Sequence, residues 1–366
     1  MRAKQLASRM LAAVLCASLL TSCMSAGETP EDISKLPSSV SSEPAVSSQP
    51  EESSEPVADG PLNPLTGESG FPESAVGKRP VTVMVNNIGD ALPQRGLAAA
   101  DMIYEVVTEG GITRLMAVYA DPDNIPYVGP VRSVRHYYVA MATPLNPIFV
   151  HFGGSPAGYS YISNLGIDDV DGMTYTSAFY QDSWRAANRG REHSFFIDGE
   201  GIQSVMEKRG FEAEGELTPL LTFAAEPVTA ANQEAGTVYV PFSSSYNATF
   251  TYNTDTGLYS KKRNGADHID ADTEQVLTFR NVLILYTTVS AYQGEAQRRE
   301  VDLSSGSGWY VTGGGRQEIR WSKGDSGNQF TFTLADGTAL TASSGKTYIC
   351  VTDKGNSGYT EFTPLG

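Results

Sequence analysis

Arginine supplies the most suggestive chemistry in this chain. In Gly129-Pro130-Val131-Arg132-Ser133-Val134-Arg135-His136, the proline suits the first turn of a helix, where its missing N–H is not needed. The spacing predicts a helix over 131–142. At 100° per residue it sets Arg132, Arg135 and His136 on one face, with Val131, Val134, Tyr138 and Met141 on the other. Two guanidinium groups beside the unpaired backbone N–H groups of a helix start form an anion site. They also oppose the helix dipole, which favours acids in the first turn, and a local rule broken this way often marks function. The alternative is that both arginines pair with neighbouring acids.

Arg114 stands in Ile112-Thr113-Arg114-Leu115-Met116-Ala117-Val118, a run apolar on both faces, so it is expected to be buried with a partner. Glu109 and Glu105 are the nearest acids, and Asp101, Glu105 and Glu109 share one face by the two-residue period of a strand. Next, His151-Phe152-Gly153-Gly154-Ser155-Pro156 closes an apolar strand and opens a helix. Gly153 and Gly154 allow close backbone approach to a ligand, and Ser155 can cap the helix. A tight strand-to-helix turn around a hydrogen-bonded His151 explains the same residues. No Gly-Lys-Ser/Thr follows, so this is not a P-loop.

His193 follows Arg189 and Arg191, a local basic spot, and His268 precedes Asp270 at strand spacing. No two histidines share a helix at metal-ligand spacing, so no zinc site is expected. Serine acyl transfer lacks both a Gly-x-Ser-x-Gly and a Ser-x-x-Lys motif. Carboxylates are plentiful, but nothing singles out a glycosidase pair.

The elements that must position these groups divide the chain. β-Branched and apolar runs predict strands at 81–85, 102–107, 112–119 and 147–152, with Glu109-Gly110-Gly111 as a hairpin turn. Helical spacing recurs at 155–165 and 201–208. Beyond a linker at 217–236, Gly- and Asp-punctuated runs read as nearly all strand, with 282–289 as the central buried one. The fold class is α+β: a mixed α/β first domain over 61–228, then a smaller β-rich domain over 229–366.

The first 60 residues differ in kind. Arg2, Lys4 and Arg9 precede an apolar stretch at 10–20, about half of the ~20 residues that span a bilayer, and then Leu20-Thr21-Ser22-Cys23. This resembles a bacterial lipoprotein signal over 1–22, which implies a lipid on Cys23 as the new N-terminus. Residues 23–60 are rich in Ser, Glu and Pro and cannot bury enough surface to fold. As a coil they reach roughly 35 Å, a tether off the membrane. Cys16 leaves with the signal, so Cys350 has no disulfide partner within the mature chain. Cys350 itself falls in an apolar strand pattern and is expected to be inert.

The chain has 42 acidic and 26 basic side chains, a net charge of −16, which becomes −19 once Arg2, Lys4 and Arg9 are removed. Such a surface repels nucleic acid and anionic headgroups and leaves room only for a local basic pocket.

Arg79 to Asn87, Ala100 to Glu105, Glu109 to Arg114, Gly129 to Arg135 and His151 to Pro156, in that order, together resemble the YerB-like lipoproteins, bacterial surface proteins of two adjoining domains of unknown function. Gly265 to Asp270 and Ile319 to Lys323, with Trp321, are similar to the second domain of that family. The resemblance spans 63–366. Glu192-His193-Ser194 departs from the family's Pro-His-Asn. The resemblance implies an α+β first domain, a β-rich second one and a place on the outer face of the cytoplasmic membrane, but no reaction.

Three functions follow. The first is a non-catalytic binding or assembly lipoprotein that holds a carboxylate or phosphate of an envelope polymer through Arg132, Arg135 and His151, with no cofactor. The second is an envelope enzyme working on a phosphorylated glycan or lipid carrier, in loose analogy to wall-polymer transferases of the LytR-CpsA-Psr type. There arginines would neutralise phosphate and Asp101 or Glu109 would hold a divalent cation. The third is a protein partner that docks through exposed strand edges of the second domain. The expected partners are the membrane, through the lipid, and an envelope polymer or protein.

Overall fold

The computed structural model describes residues 60–230, 233–293 and 295–366. The expected signal, Cys23 and the tether up to residue 59 lie outside the described residues.

The predicted strands of the first half form as expected: β1 (Val81–Asn86), β2 (Met102–Val107), β3 (Thr113–Tyr119) and β4 (Ile148–His151), followed by a short β5 (Asp169–Asp171). β2 and β3 pair antiparallel across Glu109–Gly111, where Gly110 and Gly111 take φ of 63° and 77° that glycine accepts without strain. β1 lies antiparallel to β3 and parallel to β4, and β4 is parallel to β5. Two-residue ribbon strands β6 (Tyr180–Gln181) and β7 (Phe195–Phe196) lie apart from this sheet. The helices are α1 (His136–Ala142), α2 (Pro156–Leu165), α3 (Ser183–Asn188) and α4 (Gly199–Arg209).

The second half is built of strands, mostly antiparallel. β8 (Thr237–Pro241), β9 (Asn247–Asn253) and β10 (Leu258–Arg263) form the middle of one sheet. β11 (Asn281–Thr287), β12 (Ser305–Thr312), β13 (Gly315–Ser322), β14 (Thr331–Leu334) and β15 (Thr347–Asp353) join the first half's strands instead. The resulting sheet runs β14-β13-β12-β11-β15-β2-β3-β1-β4-β5. β15 is its hinge point, parallel to β11 on one side and to β2 on the other. The expected central strand at 282–289 is thus central to a sheet that both halves share.

Period-two alternation sorts the core into two layers. Val81, Val83, Val85, Ile103, Leu115 and Cys350 share one cluster with the β8–β10 sheet and α4. Met84, Met102, Tyr104, Met116 and Ile349 face α1 and α2. Both faces are covered, which is why β1, β2 and β3 read as unbroken apolar runs. Cys350 is buried, and burial pushes its thiol well above the usual range.

One predicted helix starts later than its spacing implies. The helix predicted from residue 131 begins only at His136. Residues before it are extended because their polar groups are taken up by neighbouring strands. The N–H groups of Val131, Arg132 and Val134 donate to Phe195 O, Met84 O and Gly153 O, and Pro130 O accepts from Asn86 N. Arg132, Arg135 and His136 therefore share no helical face. His136 turns to Glu300, with Nε2 3.1 Å from both carboxylate oxygens.

Candidate functional site

The extended stretch at 131–134 forms one wall of an open cavity of about 430 Å³, and the Gly153-Gly154 turn and the 191–195 turn close its other sides. Arg132 reaches into it. Burial lowers the half-buried guanidinium below its usual range, and Glu192, Arg135 and Glu109 act on it only through space. Among the described residues, no ion pair or hydrogen bond occupies that guanidinium.

The other two candidate arginines are engaged. Arg114, on β3 and 4% exposed, donates from Nη1 to Ser133 O at 2.6 Å and lies 3.6 Å from Glu109 Oε2. Burial, and then the charge of Arg135, hold Arg114 down to about 10. Arg135 donates to Glu109 Oε1 and, at 2.7 Å, to Val134 O. Burial alone would raise the Glu109 carboxyl, but the two guanidinium groups outweigh it and leave it below the usual range. One carboxylate thus serves two arginines. Arg114 contributes to the cavity indirectly, by clamping the backbone of Ser133, next to Arg132.

The turn opposite is fixed by β4 and β5. His151 is fully buried, with Nδ1 2.9 Å from Gly153 O and Nε2 3.1 Å from Asp169 Oδ2. Asp171 accepts from Gly153 N at 2.8 Å, Met173 N at 2.9 Å and Tyr159 Oη at 2.9 Å. Gly153 has a φ of +72°, and a Cβ on Gly154 would come within 2.7 Å of Val134 Cγ1, so both glycines are required by the turn and the close approach of segment 131–134. Ser155 caps α2, its Oγ accepting from Gly158 N. Gly153 and Gly154 line the cavity, while His151 and Ser155 hold its frame.

The remaining candidates sit elsewhere. Asp101 precedes β2 and accepts from Asn63 Nδ2 and Ala120 N, and its burial raises its carboxyl. Glu105 is on the opposite face of the sheet from Arg114. It accepts from Asn87, Thr113 and Tyr348 and lies 3.5 Å from the buried Lys261. Glu109 is past the end of β2, in the turn, so the three acids do not form one face. His268 receives Lys261 Nζ on Nδ1 at 3.0 Å and donates from Nε2 to Gln94 Oε1 at 2.9 Å. Burial first, then Lys261 and Arg263, press its pKa well below the usual value. Asp270 does not pair with it but accepts from Ala98 N at 2.8 Å. His193 is buried, and Asn86 Nδ2 donates to its Nδ1 at 2.8 Å. Glu105, His268 and Asp270 join the two halves, whereas His193 stands beside the cavity, behind Glu192.

Sequence reasoning missed Glu192 as a lining residue and took Arg191 only as part of a basic spot. Arg191 lies over the ring of Phe195, 4.8 Å from its centroid, and Phe195 stacks on Phe152 at 4.3 Å. The one available signal was the departure at Glu192-His193-Ser194. Asp171, which ties the turn together, carried none.

A family model described as "Protein of unknown function (DUF3048) N-terminal domain" matches residues 65–212, and its C-terminal counterpart matches residues 238–349. A protein of Bacillus subtilis (strain 168) named "Putative lipoprotein YerB" is 30% identical over 293 residues, covering 78% of this chain and 84% of that protein. The crystal structure of the YerB protein from Bacillus subtilis superposes with a TM-score of 0.73 at 26% identity, covering 83% of this chain and 100% of that chain.

Proposed function

The chain belongs to the DUF3048 family, and from that premise we propose that it is a lipid-anchored protein of the bacterial cell surface that binds an anionic envelope component. The lipid would sit on Cys23, in keeping with the Leu20-Thr21-Ser22-Cys23 signal and with the lipoprotein name of the Bacillus subtilis relative. The observation that carries the binding reading is the Arg132 guanidinium. It lines an open cavity with no partner of its own among the described residues, while Arg114 and Arg135 share the Glu109 carboxylate. A free guanidinium in a partly desolvated cleft is built to receive a carboxylate or phosphate oxygen.

The reading is non-catalytic. The carboxylates that a transferase would use are committed to other bonds, Asp101 to Asn63 and Ala120 and Glu109 to two arginines. The test is calorimetric titration of the full chain, purified in detergent, with inorganic phosphate and with carboxylated and phosphorylated wall fragments. At least one should bind, with affinity falling about tenfold or more in Arg132→Ala, as expected for a lost charge-assisted contact. Saturable binding unaffected by Arg132→Ala would reject the reading.

A further inference from the structure

The cavity carries both signs of charge. Arg132 and Arg191 line it together with Glu192. Here the Glu192 carboxylate pairs with neither guanidinium within 4.0 Å, and its nearest cationic or imidazole partner is Nε2 of His193 at 3.7 Å. His193 offers it little charge, because burial holds the ring below its usual pKa. The carboxylate itself is about half exposed, with a side-chain exposure of 52%, and titrates below its usual range.

From this arrangement, and on the reading of the cleft as an anion site, we infer that its ligand carries a free ammonium as well as a carboxylate, as an amino acid or a short peptide does. The carboxylate would meet Arg132, and the ammonium would meet Glu192 across the cavity. The walls suit what joins the two charges. Phe152 and Phe195 give a stacked aromatic side, and Met173, 63% exposed, gives an adaptable apolar lip. A volume of about 430 Å³ holds a small ligand of this kind. A multiply charged phosphate satisfies this site less well, because Glu192 would repel it.

The test compares matched small molecules on the full chain: alanine, alanyl-alanine, N-acetyl-alanyl-alanine, alanyl-alaninamide and inorganic phosphate. Alanine or alanyl-alanine should bind at least tenfold tighter than both the acetylated and the amidated form, since each lacks one charge-assisted contact. The tighter of the two tells whether the charges belong to one amino acid or to the ends of a peptide. Glu192→Gln should erase the advantage over the acetylated form, and Arg132→Ala the advantage over the amidated form. If the acetylated form or phosphate binds as tightly as alanyl-alanine, the zwitterion inference fails while the anion reading stands. If none of the five binds and the wall fragments also fail, the anion reading falls with it.

Discussion

Three arginines within a short stretch of sequence space acquire different roles from their surroundings. Arg114 is buried on β3, Arg135 lies at the start of α1, and both lean on Glu109, whereas Arg132 projects into the cleft. Removing Glu109 leaves a guanidinium of 4% exposure without its counter-charge, so Glu109→Gln should cost about 3 kcal/mol in denaturant unfolding at neutral pH. A loss below ~1 kcal/mol would contradict that role. Because the Glu109 carboxyl titrates below its usual range in the folded protein, its contribution is present above the unfolded value near 4.3 and is lost as pH falls through the folded one. His268 gives a second residue-scale prediction. Its folded pKa is depressed, so stability is complete above the unfolded value of about 6.5 and falls on acidification, by up to ~1.4 kcal/mol per pH unit. Stability measured between pH 7.5 and 5.5 should therefore fall less steeply in His268→Asn than in the parent, and equal slopes would refute it. Part of this was legible in the sequence. An arginine in a strand apolar on both faces had to be buried and paired, and Glu109 was a named partner. What could not be read was that His268 would bond to Lys261 and Gln94, because those contacts join residues 7 and 174 positions apart.

At the scale of elements, strands β1 to β4 were readable from β-branched runs, and α2 and α4 from their spacing. The 131–135 stretch was misread for a physical reason. Its local pattern is helical, but Met84, Phe195 and Gly153 offer backbone acceptors in register, and tertiary hydrogen bonds override a local preference. That override is what creates the cleft, since a helix from residue 131 would carry Arg132 on a regular face with Arg135. The position of β15 was equally invisible. A strand from the end of the chain pairs with β2 near its beginning, between β11 and β3's neighbour, and no local pattern reveals a pairing of that range. A fragment of residues 60–230 would lack β15 and expose the β2 edge, an open row of backbone donors and acceptors. It should aggregate or unfold without a cooperative transition, while the longer chain melts in one step. Size exclusion and calorimetry check this, and a monomeric fragment with its own sharp transition would contradict it.

The whole molecule is strongly acidic, with a net charge of −16, yet its cleft presents Arg132 and Arg191. The surface field discourages broad association with polyanions, so an anionic ligand must be recognised by close contact and not by long-range attraction. Anchored as proposed, the protein would meet its ligand at the membrane's outer surface. Cys23→Ala should accordingly leave the protein in the medium or as an unprocessed precursor, and fractionation showing normal processing and membrane retention would remove the lipid from the account. The most direct test of the central claim asks whether Arg132 serves the ligand or the fold. Thermal unfolding of the parent and of Arg132→Ala, each with and without wall fragments, answers it in one series. The account predicts equal melting temperatures for the two free proteins, a clear rise on adding ligand to the parent, and none in the variant. A free variant that melts well below the parent, or one that is stabilised by ligand as the parent is, would contradict it.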